Sequence, residues 1–474
     1  MQLLPHRTKI VATIGPASNS PDVIRRLLKA GMSVARLNFS HGSYEAHAQN
    51  IQMLRSLAEE MEVPLALLQD LQGPKIRVGQ IPEPGIQLIE GEHLTLVPIE
   101  DFTGQPATVG IDYPYVAEEA EPGTQVLLAD GLMELKVEDV QGNQVLCRII
   151  EGGVLTSRKG VNFPSLNLRL PSMTEKDKQD LEFGIGQGVD IISLSFVRQA
   201  EDVRELKALL KAKGVDIPVL AKIEKPQAVQ NFEAIAEEVD AIMVARGDLG
   251  VEMRPEKVPA IQKQIIRRCN RKGIPVITAT QMLESMIHNV RPTRAEASDV
   301  ANAIIDGTDA VMLSGESAMG DFPVQAVEML ARIAAEIEPT IEFPNFPPNK
   351  MDETHAISEA LNTIDSILDL RCICAFTMTG FTASLAAAER PRAPIVAFTS
   401  DRAIYNRLNL IWGVKPLLLE NPITATDELA TIAETMLYDR RLAVPGDKVL
   451  IMGGNPIHTA KTTNFLNIYT LQSR

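Results

Sequence analysis

Arg36, Asn38 and Ser40 occupy every second position of the run Ser33-Val-Ala-Arg-Leu-Asn-Phe-Ser40. In a β-strand that spacing points all three side chains to one face. A buried strand should be apolar there, so three polar groups require partners. They read as a satisfied salt bridge near a strand end, or as a site for an anion and a cation. Lys222 and Glu224 repeat the geometry in Pro218-Val-Leu-Ala-Lys-Ile-Glu224, and Arg246-Gly-Asp248 closes a neighbouring run. Glu224 and Asp248, with a lysine between them, suit Mg²⁺, which takes few protein carboxylates and fills its shell with water and substrate oxygens. Lys222 would then stand beside a group that gathers negative charge. The plainer alternative is an ion-pair cluster. Thr278 and Thr280 end a further run, where Thr280 suits a substrate contact or a proton relay, or simply a hydrogen-bonded cap.

These residues need elements that bring them together. Eight short apolar runs end in polar residues, starting at Thr8, Ser33, Pro64, Val189, Pro218, Asp240, Ile274 and Asp309, and most precede an amphipathic stretch. Near-continuous apolar strands alternating with helices imply a parallel sheet covered on both faces. Eight such units predict a (β/α)₈ barrel with its chemistry at the C-terminal strand ends. A doubly wound open sheet is the alternative. Between the third and fourth runs, residues 73–170 carry Gly and Pro turn signals between short β-branched runs, which predicts an all-β insertion on a barrel loop. Loops at that face are where lids belong. The Pro-rich stretch Glu338–Lys350 reads as a linker. Beyond it, strand-like runs near 371–378, 394–399, 414–419, 447–453 and 466–471 predict a separate α/β domain. The expected division is therefore 1–72 with 171–340 for the barrel, 73–170 for the insertion and 351–474 for the last domain.

Bulk properties narrow the function. The chain has 474 residues and a formal net charge of −15. That charge argues against nucleic acid as a partner, since phosphate backbones need a basic face. It leaves room for a small phosphorylated substrate held by a few local cations and a metal. Four cysteines form no disulfide framework, and Cys372 and Cys374 read as part of a buried strand, so a reduced, cytoplasmic setting is expected. No membrane-spanning window or signal-peptide core is expected. There is no zinc pattern and no GxxxxGK[ST] loop. Gly184-Ile-Gly-Gln-Gly188 precedes a strand instead of following one, the wrong order for a dinucleotide fingerprint.

Several long segments, taken in order, resemble those of pyruvate kinases. They are Lys9-Ile-Val-Ala-Thr-Ile-Gly-Pro-Ala-Ser18, Val34-Ala-Arg-Leu-Asn-Phe-Ser-His-Gly42, Asp70-Leu-Gln-Gly-Pro-Lys-Ile-Arg77, Ala221-Lys-Ile-Glu224, Met243-Val-Ala-Arg-Gly-Asp-Leu-Gly-Val-Glu252, Ala279-Thr-Gln-Met-Leu-Glu-Ser285, Arg291-Pro-Thr-Arg-Ala-Glu296 and Met312-Leu-Ser-Gly-Glu316. The resemblance implies a TIM barrel with a β lid and a C-terminal effector domain, usually assembled as a homotetramer. It implies phosphoryl transfer from phosphoenolpyruvate to ADP, giving pyruvate and ATP, with Mg²⁺ or Mn²⁺. By position, Arg36 would grip the substrate phosphate and Lys222 would stabilise the transferring group. Glu224 and Asp248 would hold the metal. The backbone of Ala245, Arg246 and Gly247, with Thr280, would bind the carboxylate. Asn38, Ser40, His41, Arg77 and Lys159 would contact the nucleotide.

Two features depart from many relatives. Those hold K⁺ with residues matching Asn38, Ser40, Asp70 and the carbonyl of Leu71, and carry a Glu where this chain has Lys75. A Thr-Lys pair there is replaced here by Leu71-Gln72, and a Thr by Val78. Lys75 could supply the positive charge itself, so K⁺ is expected to be dispensable. In the last domain, Thr377, Thr379, Gly380 and Thr382 match an anion site for a sugar-phosphate or nucleotide effector. Its other side, Gly453-Gly-Asn-Pro-Ile-His-Thr459, departs from members that use fructose 1,6-bisphosphate. An Mg²⁺-dependent enolate lyase or aldolase of the same barrel type, or a non-catalytic metabolite sensor, are the rival readings.

Overall fold

In the computed structural model, residues 5–164, 166, 168–343, 352–423, 425–456 and 462–473 are described. The eight apolar runs become strands Lys9–Thr13, Met32–Asn38, Ala66–Asp70, Ile191–Leu194, Val219–Ile223, Ala241–Ala245, Val276–Ala279 and Ala310–Leu313. They close into a barrel in which chain neighbours are sheet neighbours and every pairing is parallel. Alternation along each strand divides the core in two. Val11, Val34, Leu68, Leu220, Met243, Ile277 and Met312 fill the barrel interior. Ile10, Ala12, Ala35, Leu67 and Val276 instead pack outward with the surrounding helices. The open-sheet alternative is excluded by this closure.

The third and fourth barrel strands pair directly, Leu68 opposite Ile191, although the whole insertion lies between them in sequence. That insertion forms a six-stranded sheet and a two-stranded one around its own core, which includes Leu96, Ile111, Leu135 and Phe163. It is not purely β: Val116–Glu119 makes one short helix. Both ends of the insertion are anchored. Gly73 N–H donates to Asp177 at 3.0 Å, and Asp177 is also the capping-box residue of helix Glu175–Gln187. Asn162 donates to Glu252 at 2.6 Å.

The C-terminal domain is a five-stranded sheet, Val414–Leu418, Ile395–Thr399, Cys372–Phe376, Lys448–Gly453 and Phe465–Thr470, antiparallel only at its last strand. It seats on the opposite end of the barrel from the lid. Asn409 donates to the carbonyls of Ser33 and Pro64, both at 2.8 Å. Leu410 caps the interior core. Of the Pro-rich stretch, 344–350 lies outside the described residues, as do 457–459 of the segment Gly453–Thr459. Among the described residues, no helix is long and apolar enough to cross a membrane.

Lys9 sits at that seat with its ammonium enclosed, donating to the Val414 carbonyl at 2.6 Å. Burial, with Lys415 adding like charge and Glu338 opposing, pulls its pKa down to about 7. An unfolded lysine titrates near ~10.4. Between those values the unfolded chain holds one more proton, so this site's contribution to stability rises with pH. Lys9→Met should therefore raise the melting temperature most at or below about pH 7, with a gain that shrinks toward about pH 10. Thermal melts of both proteins across that range decide it; a gain independent of pH would refute the buried charge.

Candidate active site

Strand 2 delivers Arg36 to the mouth of the barrel, and strand 3 delivers Asp70 beside it. Arg36 Nε and Nη2 both donate to Asp70 Oδ2, at 2.8 and 2.6 Å. Its Nη1 donates to Thr13 Oγ1 at 2.9 Å. A guanidinium carries five N–H donors, so two remain for an incoming anion. Lys222 approaches from strand 5. Its Nζ lies 3.5 Å from Asp70 Oδ1 and 2.9 Å from Glu224 Oε1, and donates to Ser195 Oγ at 2.9 Å. Arg36, Asp70, Lys222 and Glu224 thus form one continuous chain of alternating charge.

Electrostatics follow from that chain. Burial would drive Lys222 neutral, but Asp70 and Glu224 together hold its ammonium well above the ordinary lysine value. Burial would raise Asp70, yet Lys222 and Arg36 outweigh it and keep the carboxylate low. Glu224 is raised, by burial and by Asp248, with Lys222 opposing.

Glu224 lies one residue beyond strand 5 and is fully buried. Its Oε2 accepts the N–H of Phe196 at 2.7 Å. Phe196 has a φ of 55°, a strained value for an aromatic residue. Glu224 Oε1 lies 2.9 Å from Lys222 Nζ, the cation that balances it. A buried carboxylate whose charge is opposed by a second carboxylate nearby is a place where a divalent cation relieves the repulsion. Asp248 is half-buried, and Lys75 Nζ lies 3.7 Å from its Oδ1. Among the described residues no group of three or more His, Cys, Asp or Glu forms a cage. Two carboxylates with open positions fit Mg²⁺ or Mn²⁺ better than a metal that demands a full protein shell.

Thr280 follows strand 7 at a φ of 67°. Its Oγ1 accepts the Gly247 N–H at 2.7 Å and donates to the Ala279 carbonyl at 2.6 Å. Arg246 donates to the Thr280 carbonyl at 2.8 Å and pairs with Asp299 at 2.7 Å. Thr278 is a buried partner of Thr308, at 3.0 Å.

The positions read as nucleotide contacts are more dispersed. Strand 2 ends at Asn38, so Ser40 lies in the following turn, not on the strand face, and its N–H is capped by Asn38 Oδ1 at 3.1 Å. The His41 side chain is exposed, and its carbonyl accepts from His47 Nε2 at 2.9 Å. Arg77 and Lys159 meet at the root of the lid, where the Val78 N–H donates to the Lys159 carbonyl at 2.8 Å. Neither side chain touches the charged chain.

The monovalent-cation positions already have partners: Asp70 serves two cations, and the Leu71 carbonyl accepts from Ser195 at 2.6 Å. Lys75 Nζ lies 3.1 Å from Asp130, so its carboxylate partners among the described residues are Asp130 and Asp248, not Asp70. Of the positions read as an effector site, Thr377 and Thr382 border a separate cavity of about 250 Å³, where Thr377 Oγ1 accepts the Gly380 N–H at 2.9 Å and Thr382 pairs with Thr463 at 3.0 Å. Thr379 lines it as well, and its described lining contains no Lys or Arg.

Thr13, Ser195 and Phe196 were not singled out from the sequence. Ser195 shares the strand-end position that marked the others. The left-handed Phe196 leaves no signal in residue type.

Asp70→Asn would leave two buried cations sharing less negative charge, a loss of roughly 3 kcal/mol of stability. Denaturant unfolding should show it, and an unchanged midpoint would mean that Asp70 is not the shared partner.

Comparison with known proteins identifies the family. Family models match twice: "Pyruvate kinase, barrel domain" over residues 5–327 and "Pyruvate kinase, alpha/beta domain" over 355–469. The chain is 46% identical over 477 residues to pyruvate kinase 2 of Synechocystis sp., covering 99% of this chain and 80% of that protein. It is 44% identical to the pyruvate kinase of Geobacillus stearothermophilus, covering 98% and 80%. With that of Clostridium acetobutylicum it shares 40% identity, covering 98% and 100%. Matched over both domains and along nearly its whole length, this chain belongs to the pyruvate kinase family.

Proposed function

We propose that this chain, a phosphotransferase moving the phosphoryl group of phosphoenolpyruvate to ADP, works through the alternating charges at the barrel mouth. The unbroken sequence Arg36–Asp70–Lys222–Glu224 carries the reading, because it supplies two fixed cations and a metal carboxylate side by side. Arg36 would take the substrate phosphate on its two spare N–H groups. Lys222, held charged, would face the transferring phosphoryl and the enolate oxygen left behind. Such fixed charge is stronger in a buried site than in water and needs no reorganisation during the reaction.

Glu224 and Asp248 would hold Mg²⁺ or Mn²⁺. Once bound, that ion offsets phosphate charge and orients the transfer. The backbone of Ala245–Gly247 and Thr280 would receive the carboxylate, which competes with Thr280 for the Gly247 N–H. Thr280 would also relay a proton to the enolate through water. Asn38, Ser40, His41, Arg77 and Lys159 would meet ADP as residues 73–170 close over it and exclude water. The lyase and sensor alternatives do not fit the family.

The reading extends to regulation and setting. Lys75 keeps a positive charge in the cleft, which supports turnover without K⁺. The cavity beside Thr377–Thr382 would take a phosphorylated effector through hydroxyls and backbone N–H groups. Four buried, unpaired cysteines suit a reduced, cytoplasmic compartment. Homotetrameric assembly is proposed from the family pattern.

Lys222→Met should lower turnover by at least about 10²–10³-fold, as loss of one preorganised charge does elsewhere. Pyruvate formation with Mg²⁺ in tetramethylammonium buffer should proceed without K⁺ and change little on adding KCl. Near-normal turnover in Lys222→Met would remove that residue from the mechanism, and a strict need for KCl would remove the charge role of Lys75.

A further inference from the structure

Lys75 reaches from the root of the lid toward the metal carboxylates, and it stands between two acids. Asp130 Oδ1 is 3.1 Å from its Nζ and Asp248 Oδ1 is 3.7 Å away. We infer that Asp130 is a positioning residue that draws the Lys75 ammonium off Asp248, keeping that carboxylate open to the divalent cation. This rests on the assignment of Glu224 and Asp248 as metal ligands.

Three features show that the Lys75–Asp130 contact is built into the lid. Asp130 sits in a turn of three consecutive left-handed residues, Ala129, Asp130 and Gly131, with φ of 51°, 57° and 85°. Alanine adopts that conformation only at a cost, and such strain collects where geometry serves function. The turn is pinned to the root of the lid, where the Ala129 N–H donates to the Gly160 carbonyl at 2.9 Å. Gly160 then leaves room for the pair. A Cβ there would lie 2.9 Å from Lys75 Cε and 3.3 Å from Asp130 Oδ1, so a larger residue would displace one of them. Gly160 is not among the left-handed glycines, so clearance, not backbone conformation, is its use.

Charge explains the direction of the effect. A flexible lysine goes where negative charge is nearest. Asp248 is the second carboxylate within reach, and an ammonium settled on it would compete with the metal for the same oxygens. The Asp130 side chain is 67% exposed and that of Lys75 21%. The contact is therefore too wet to add much stability, but it needs only to bias where one charge rests.

Asp130→Asn removes the charge and keeps the turn, because Asn tolerates left-handed backbone. Mn²⁺ binding to the intact chain without substrate, followed by electron paramagnetic resonance, reads the effect directly. Asp130→Asn should raise the Mn²⁺ dissociation constant by at least about threefold. In a Lys75→Met background the same change should do nothing further, since the competing ammonium is gone. An equal rise in both backgrounds would make Asp130 a purely structural turn residue and overturn the inference, as would no rise in either. Glu224→Gln serves as the separate control: wild-type Mn²⁺ affinity in that variant would refute the metal assignment itself.

Discussion

Asp70 is the constraint on which the site depends. One buried carboxylate answers two buried cations that arrive on different strands. Without it Arg36 would lose the carboxylate it holds and Lys222 would keep Glu224 alone, which is strongly destabilising for buried cations. Asp70 also fixes direction. It takes one edge of the Arg36 guanidinium, Thr13 takes one N–H of the other, and two N–H groups are left over. It shares the Lys222 charge with Glu224, so the lysine stays protonated at the barrel mouth. The closed sheet makes this possible by putting Asn38 opposite Asp70 and Arg36 opposite Leu68 in fixed register.

The two ends of the barrel are used differently. At one end, polar residues at and just past the strand ends create the site and the lid approaches. At the other, Asn409, Leu410 and Lys9 join the C-terminal domain to the strand beginnings. The strained residues Phe196 and Thr280 lie on the active side, each holding a hydrogen bond that orients a site group. The enclosed Lys9 lies on the seat side, where it costs stability and serves no visible chemistry.

Most of the fold was legible because its code is local. Runs of Val, Ile, Leu and Ala bounded by Gly and Pro mark a parallel barrel strand by strand, and the turn-rich texture of the insertion marks its change of architecture. The polar groups at strand ends were legible for the same reason: a charge in a buried strand is an anomaly that needs explaining. Pairings between distant segments were not. Nothing in the residue order told that Lys75 would lie against Asp130, or that Ser195 would join Lys222 to the Leu71 carbonyl. The Ser40 placement failed for a related reason, since alternation was extended two residues past the point where the strand turns.

The insertion between adjacent barrel strands also bears on biosynthesis. A ribosome delivers residues in order, and strand 3 is complete some hundred and twenty residues before its partner, strand 4, begins (Asp70 to Ile191). During that interval strand 3 has an exposed edge that only a later segment can cover, while the lid, with a core of its own, is ready to condense first. The barrel cannot close until Ala310–Leu313 emerges to pair with Lys9–Thr13. A nascent chain that condensed its lid first would carry it on an unfinished barrel whose strand edges are still open.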